Sequence, residues 1–184
     1  LNAVSYLAVI VSLLKMRASE LAPAPRLGRG PGQLRDGLRY VRGRPDIMLV
    51  MAVVFFACTF GLNFQMTTAL MATEVYGKGA GEYGVLGSIL AIGSITGSLL
   101  AARRIGSRQR LVIVAAIAFG VSVTIAGLMP SYLTFALFLP VCGVSAMTMM
   151  TSANSFVQLS SADHVRGRVM ALYMAIFMGG TPIG

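Results

Sequence analysis

The chain has 184 residues, 56% of them hydrophobic and only 11% charged, with a mean hydropathy of +0.77 and a net charge of +9. A soluble domain carries about 25% charged residues, and a fold of this size cannot hide so much apolar surface in one core. The composition therefore points to a membrane protein. A pI near 10.4 raises nucleic-acid binding, but little soluble surface is left to carry a basic patch.

The first apolar run, residues 1–14, is followed and not preceded by basic residues, Lys15 and Arg17, the reverse of a signal peptide. It reads as the end of a transmembrane helix. With no Met at position 1 and an apolar run at its other end, the chain reads as a fragment cut within a helix on both sides. Residues 15–46 form a basic loop in two parts. "ELAPAPRLGRGPG" is rich in Pro and Gly and suits a flexible linker. "QLRDGLRYVRGRP" predicts a helix over about 33–43, with Leu34, Leu38 and Val41 on one face and Arg35, Arg39 and Arg42 beside them. Gly43 and Pro45 mark its end. A short basic amphipathic helix of this kind lies along a membrane surface. Calmodulin-like partner binding fits the same pattern.

From there the charges divide the chain. Residues 47–73, 83–102, 111–162 and 169–184 carry none. A spanning helix needs about 20 apolar residues, so the first two runs are one span each. The third is too long for one span and breaks at Pro130-Ser131, which predicts a hairpin of two. Spans are expected at about 47–72, 83–102, 111–130 and 132–157, with a partial one over 169–184. Outer-membrane strands would alternate in polarity, and "IMLVMAVVFFACTF" does not. The fold class is an all-α, polytopic membrane helix bundle.

Threading these spans puts residues 15–46, 103–110 and 158–168 on one side, with fourteen of the fifteen Lys and Arg. Only Lys78 falls on the other side. Basic loops translocate poorly, so the arginine-rich side is expected to be cytoplasmic. The cluster Arg103, Arg104, Arg108 and Arg110 then serves as a topology signal in contact with anionic headgroups, or in addition takes part in gating. Segregation of arginine into alternate loops argues against a nucleic-acid partner.

Within the spans the polar residues are few and neutral. Thr59, Asn63 and Gln65 lie in the first, with Thr67 and Thr68; Ser145, Thr148 and Asn154 lie in the fourth, and Tyr173 in the last. A polar side chain in lipid must face other helices or a wet cavity, so these residues either bond between helices or line a substrate path. Gly93 and Gly97 form GxxxG, a helix-packing signal, with Ser94 and Ser98 one step on and Gly84 and Gly87 adding to the small-residue face. Met147, Met149 and Met150 suit an adaptable apolar surface. Cys58 and Cys142 sit in apolar runs and read as small buried hydrophobes. No Asp, Glu or His lies within a complete span, so a proton carrier, if there is one, lies elsewhere. His164 reads as solvated loop, after Asp163 as a helix N-cap. No HExxH, GxSxG, CxxC or P-loop pattern occurs, so neither an enzyme nor a metal or other cofactor is expected.

The order of a long central loop, span, short loop, span, "RRIGSRQR", span, tight turn, span, "RGRV", span resembles the C-terminal half of a major facilitator superfamily transporter, from the end of helix 6 to part of helix 11. "NAVSYLAVIVSLLKMR", "GLRYVRGRP", "YGVLGS" and "RGRVMALYM" resemble its multidrug- and siderophore-exporter branch, which includes the enterobactin exporters. A weak copy of the family's loop motif, roughly GxLaDRxGRRxxL, aligns on Arg104, Gly106, Arg108 and Leu111. It departs at Leu99, where a glycine is expected, and at Arg103, where an aspartate is expected. "GGTPIG" resembles the glycine–proline pattern of antiporter helices through Gly179, Gly180, Pro182 and Gly184.

The resemblance implies a twelve-helix bundle of two six-helix halves, a midplane substrate site between them, alternating access by rocking, and proton-driven export of small amphiphilic compounds across a bacterial inner membrane. Its partners would be membrane lipids, a small-molecule substrate and the N-terminal half of the same chain. Arg166 or Arg168 would pair across the halves when the inner gate closes. The other reading is a membrane receptor or assembly protein that shares the fold but does not transport.

Overall fold

The computed structural model describes residues 2–15, 33–61, 63–103, 106 and 108–183. Every regular element among them is helical. The Pro/Gly-rich linker, Arg104 and Gly184 lie outside the described residues. The chain divides into two units, Leu1–Gly30 and Pro31–Gly184. The first contributes one helix, α1 (Asn2–Leu14), which carries no charged residue.

The second unit begins with α2 (Gln33–Arg42) and α3 (Pro45–Phe60). Gly43 closes α2 by donating its N–H to Arg39 and Tyr40, and Pro45 opens α3, where a missing N–H costs nothing. After α3 come α4 (Phe64–Leu70), a π-helical turn (Met71–Val75), α5 (Ala80–Ala102), α6 (Gln109–Gly127), α7 (Tyr132–Ser160) and α8 (Arg166–Ile183). Four stretches are long and apolar enough to cross a membrane: Pro45–Val75, Ala80–Ala102, Gln109–Gly127 and Tyr132–Ser160. Large apolar side chains such as Phe60, Ile92, Leu128, Leu133 and Leu137 point outward from them. Apolar exposure on this scale marks a surface that meets something other than water.

Several boundaries differ from the sequence reading, each for a local reason. The run 47–72 is not one helix: α3 stops at Phe60 and helix resumes at Phe64. The α6–α7 turn is as short as Pro130 and Ser131 suggest, and Ser131 caps α7 by accepting the Thr134 N–H at 3.3 Å. α7 then continues to Ser160, three residues beyond the expected end. Asp163 is not the cap of α8. Ala162 O accepts the Val165 and Arg166 N–H groups instead, and the Asp163 carboxylate, free of that duty, takes the Arg166 guanidinium. In α2, Val41 and Gly37 are buried, a Cβ at Gly37 standing 3.2 Å from Arg168 Cβ, while Leu38 is exposed.

α7 is the hub of the second unit. It packs along α5 on one side and α6 on another, while α3 and α8 form a further seam. The α5–α7 seam is backbone against backbone. A Cβ at Gly93 would fall 2.3 Å from Pro140 O, one at Gly97 2.7 Å from Val144 O, and one at Gly143 2.5 Å from Leu90 O. In lipid, helices associate through such packing, since burial from water supplies no drive. Gly84 and Gly87, three residues apart and not four, have nothing within 4 Å and stand outside this seam. Pro140 lies inside α7, where its ring removes a helical hydrogen bond, and the α5 glycines lie against that turn.

Both ends of the second unit are fastened by polar contacts. At the end bearing Lys78, the Tyr76 hydroxyl donates to Met129 O and the Tyr132 hydroxyl to Glu82 O, each at 2.8 Å. The Lys78 ammonium sits 5.8 Å from the Tyr132 ring centre. Tyrosines in this position suit a membrane–water interface. At the arginine-rich end, the Tyr40 hydroxyl accepts from the Ala162 N–H and from Arg44, each at 3.2 Å. Arg44 also forks onto Asp46 at 3.0 and 2.7 Å, and that carboxylate raises the guanidinium's already high pKa.

Candidate functional site

The seam between α3 and α8 is the site of interest, because both helices are weakened at one level. From Pro45, the end of α3 lies about 22 Å along the helix axis at 1.5 Å per residue. Gly180, counted from Arg166, lies about 21 Å along α8 on the same basis. At this level the helical ladder is interrupted by an i→i−3 turn. The Phe64 N–H, which a continuous helix would give to Phe60, goes to Gly61 O at 3.2 Å. The Asn63 side-chain amide turns back onto Thr59 O at 3.4 Å. Gly61 permits the break to pack: a Cβ there would stand 2.4 Å from the Phe119 ring of α6.

Opposite the last turn of α3, α8 presents Gly180. A Cβ at that position would meet Cys58 Cβ at 2.9 Å, Phe55 O at 3.3 Å and Thr59 Oγ1 at 3.4 Å. Pro182, two residues on, cannot donate to the α8 ladder, so α8 is also loosened here. The Thr59 side chain lies between these two weak points. Its residue is 5% exposed, and its hydroxyl is the one buried side-chain polar atom among the described residues without a hydrogen-bond partner. Leaving a buried hydroxyl unpaired costs about 1–3 kcal/mol. Non-helical backbone at membrane depth is tolerated where it is buried in protein or lines a wet cavity, and interrupted helices line the binding sites of many transporters.

The sequence-derived candidates fall into separate groups. Thr59 and Asn63 come together at the break. Tyr173 is buried lower on the same seam, in one apolar cluster with Cys58 and stacked on Phe177 at 6.5 Å between ring centres. Gln65 is exposed. Ser145 and Thr148 belong to the α6–α7 contact. There the Ser145 hydroxyl bonds its own helix at Val141 O, 2.8 Å, and meets the Ser122 hydroxyl at 3.2 Å. Ser122 was not singled out in the sequence; a lone serine at mid-span was its only signal. Asn154 accepts from Gln158 at 2.7 Å near the arginine-rich end.

The loop residues form a third group. Arg103, Gly106, Arg108 and Arg110 are exposed around the α5–α6 turn, with Gly106 at φ +82°. Arg166 is engaged within the chain, on Asp163, on Gln158 O at 2.9 Å and on Ser161 O at 3.4 Å. Arg168 reaches Asp36 at 3.5 Å. Gly93 and Gly97 face α7 as described. Cys58 and Cys142 are free, buried thiols. No group of three His, Cys, Asp or Glu side chains capable of holding a metal occurs among the described residues.

Helices with long charge-free runs and outward apolar faces, joined at glycine-packed seams, define a multi-pass membrane helix bundle. Over residues 1–184 the chain matches the family described as transmembrane secretion effector, and it belongs to that family of the major facilitator superfamily. No curated protein and no solved structure matches it.

Proposed function

We propose that the protein is a secondary-active exporter of small amphiphilic compounds, of drug or siderophore type, driven by proton antiport and working by alternating access. Its arginine-rich end faces the cytoplasm of a bacterial cell and its spans lie in the inner membrane. It moves its substrate without chemistry on it. The observation that carries this reading is the unpaired Thr59 hydroxyl, held between the break in α3 and the Gly180–Pro182 segment of α8. An empty hydrogen-bonding site between two weakened helices is where a passing solute gains a partner, and where two helices part most cheaply. The neutral surroundings suit solutes that are largely apolar. Proton coupling then needs a carboxylate outside residues 47–73, 83–102 and 111–162, which hold none.

The test is accumulation of a neutral fluorescent amphiphile in cells expressing the full-length protein, with and without a protonophore. Export that stops when the proton gradient is collapsed, and that drops about tenfold in Thr59→Val at equal protein level, supports the reading. Export indifferent to both would sink it.

A further inference from the structure

A cavity of about 290 Å³ opens at the arginine-rich end, between α5, the start of α6 and the last turns of α7. It is separate from the α3–α8 seam. Its walls carry hydroxyl groups in an otherwise apolar setting: Ser98 from α5, and Thr151, Ser152 and Ser155 from α7. The Ser98 and Thr151 hydroxyls spend their protons on their own helices, at Ser94 O (2.8 Å) and Met147 O (2.6 Å). Their oxygens are therefore left as acceptors toward the cavity.

The rim has the opposite character. In sequence Arg103 and Arg110 are next to the lining residues Ala102 and Leu111, and Arg108 is two residues from Gly106; all three arginines are exposed, and none joins an ion pair among the described residues. The acidic residue of the neighbouring α7–α8 turn, Asp163, is already spent on Arg166. A ligand that fits must bring an anion to the rim and hydrogen-bond donors to the interior. Its volume is limited to that of some ten waters, at about 30 Å³ each.

We infer that this cavity seats the head of an anionic phospholipid that carries hydroxyl groups, as phosphatidylglycerol does. The phosphodiester lies on the guanidinium rim and the head hydroxyls donate into the acceptor-lined interior. Guanidinium–phosphate pairing is strong and directional, and basic pockets between helices at a membrane surface hold acidic headgroups. The apolar flanks of α5 and α7, with Leu99 and Leu159 exposed beside the cavity, continue outward as a surface for the acyl chains.

The experiment is native mass spectrometry of the full-length protein, delipidated and titrated in turn with phosphatidylglycerol, phosphatidylethanolamine and phosphatidylcholine. Phosphatidylglycerol is expected to be retained about tenfold more tightly than the other two. Arg108→Gln with Arg110→Gln is expected to abolish that preference. So is Ser155→Leu, which fills the cavity while leaving every charge in place and thus separates a seated head from general attraction to a basic loop. Unchanged thermal midpoints in both variants guard against misfolding. Full retention of phosphatidylglycerol by Ser155→Leu would overturn the proposal, as would equal retention of phosphatidylcholine by the parent protein.

Discussion

The α5–α7 and α3–α8 seams are both made with glycine, yet they are built to opposite ends. At α5–α7 three glycines bring backbone onto backbone, and Gly93, Gly97 and Gly143 leave no room for a single methyl group without displacing main chain. At α3–α8 one glycine is less tightly enclosed, with Cys58 Cβ at 2.9 Å, Phe55 O at 3.3 Å and Thr59 Oγ1 at 3.4 Å, next to a helix whose ladder is interrupted by an i−3 turn. The first seam spends its contacts on staying closed. The second keeps a buried hydroxyl unpaired and a proline within reach, features that lower the cost of opening. Close packing by itself therefore does not tell a fixed helix pair from a movable one; the state of the hydrogen bonds beside the glycine does.

The largest effect is expected in the fixed seam. Gly93→Leu or Gly143→Val forces main chain apart and should cost about 3 kcal/mol or more, read as loss of the monodisperse species when the detergent-solubilised protein is heated. Gly180→Ala meets Cys58 Cβ at 2.9 Å and Phe55 O at 3.3 Å, a milder conflict than the 2.3 Å approach to Pro140 O at Gly93, and should cost about 2 kcal/mol, while export falls further than stability does. If Gly180→Ala proves as damaging to folding as Gly93→Leu, the two seams are alike and the comparison fails.

Thr59→Val sharpens it in the other direction. Replacing an unpaired hydroxyl by a methyl group leaves stability unchanged or raises it by about 1 kcal/mol, yet should reduce export. A clear loss of thermal stability in Thr59→Val would mean that the hydroxyl has a partner, and the site would lose its distinguishing feature. The smallest effect belongs to Gly84→Ala and Gly87→Ala, which meet open space and should stay within about 0.5 kcal/mol of the parent.

The bundle was legible in the sequence because charge and hydropathy report the solvent directly. Runs without charge became α5, α6 and α7, and Pro130-Ser131 became the tight turn between two of them. What could not be read is which side of a helix meets which neighbour. Gly84, Gly87, Gly93 and Gly97 share one small-residue pattern, and only the approach of Pro140 and Val144 separates the last two from the first two. The break in α3 was hidden because hydropathy runs on unbroken through 47–73; its signal, Gly61 two residues before Asn63, is weak until Phe119 is seen against that glycine. The polar residues of the spans were visible one by one. Two of these groups, the break (Thr59, Asn63) and the terminal pair (Asn154, Gln158), are joined by local bonds four residues apart, while the α6–α7 clasp (Ser122, Ser145) depends on how two consecutive helices pack.

The most direct test of the account is hydrogen exchange of the full-length protein in nanodiscs, followed by mass spectrometry, comparing peptides over Thr59–Phe64 with peptides over Leu90–Gly97. The account predicts exchange at least about tenfold faster in the first, slowed when a transported compound is added, because that seam opens to water and the other does not. Equal protection of the two, or exchange in the first that a transported compound leaves unchanged, would contradict it.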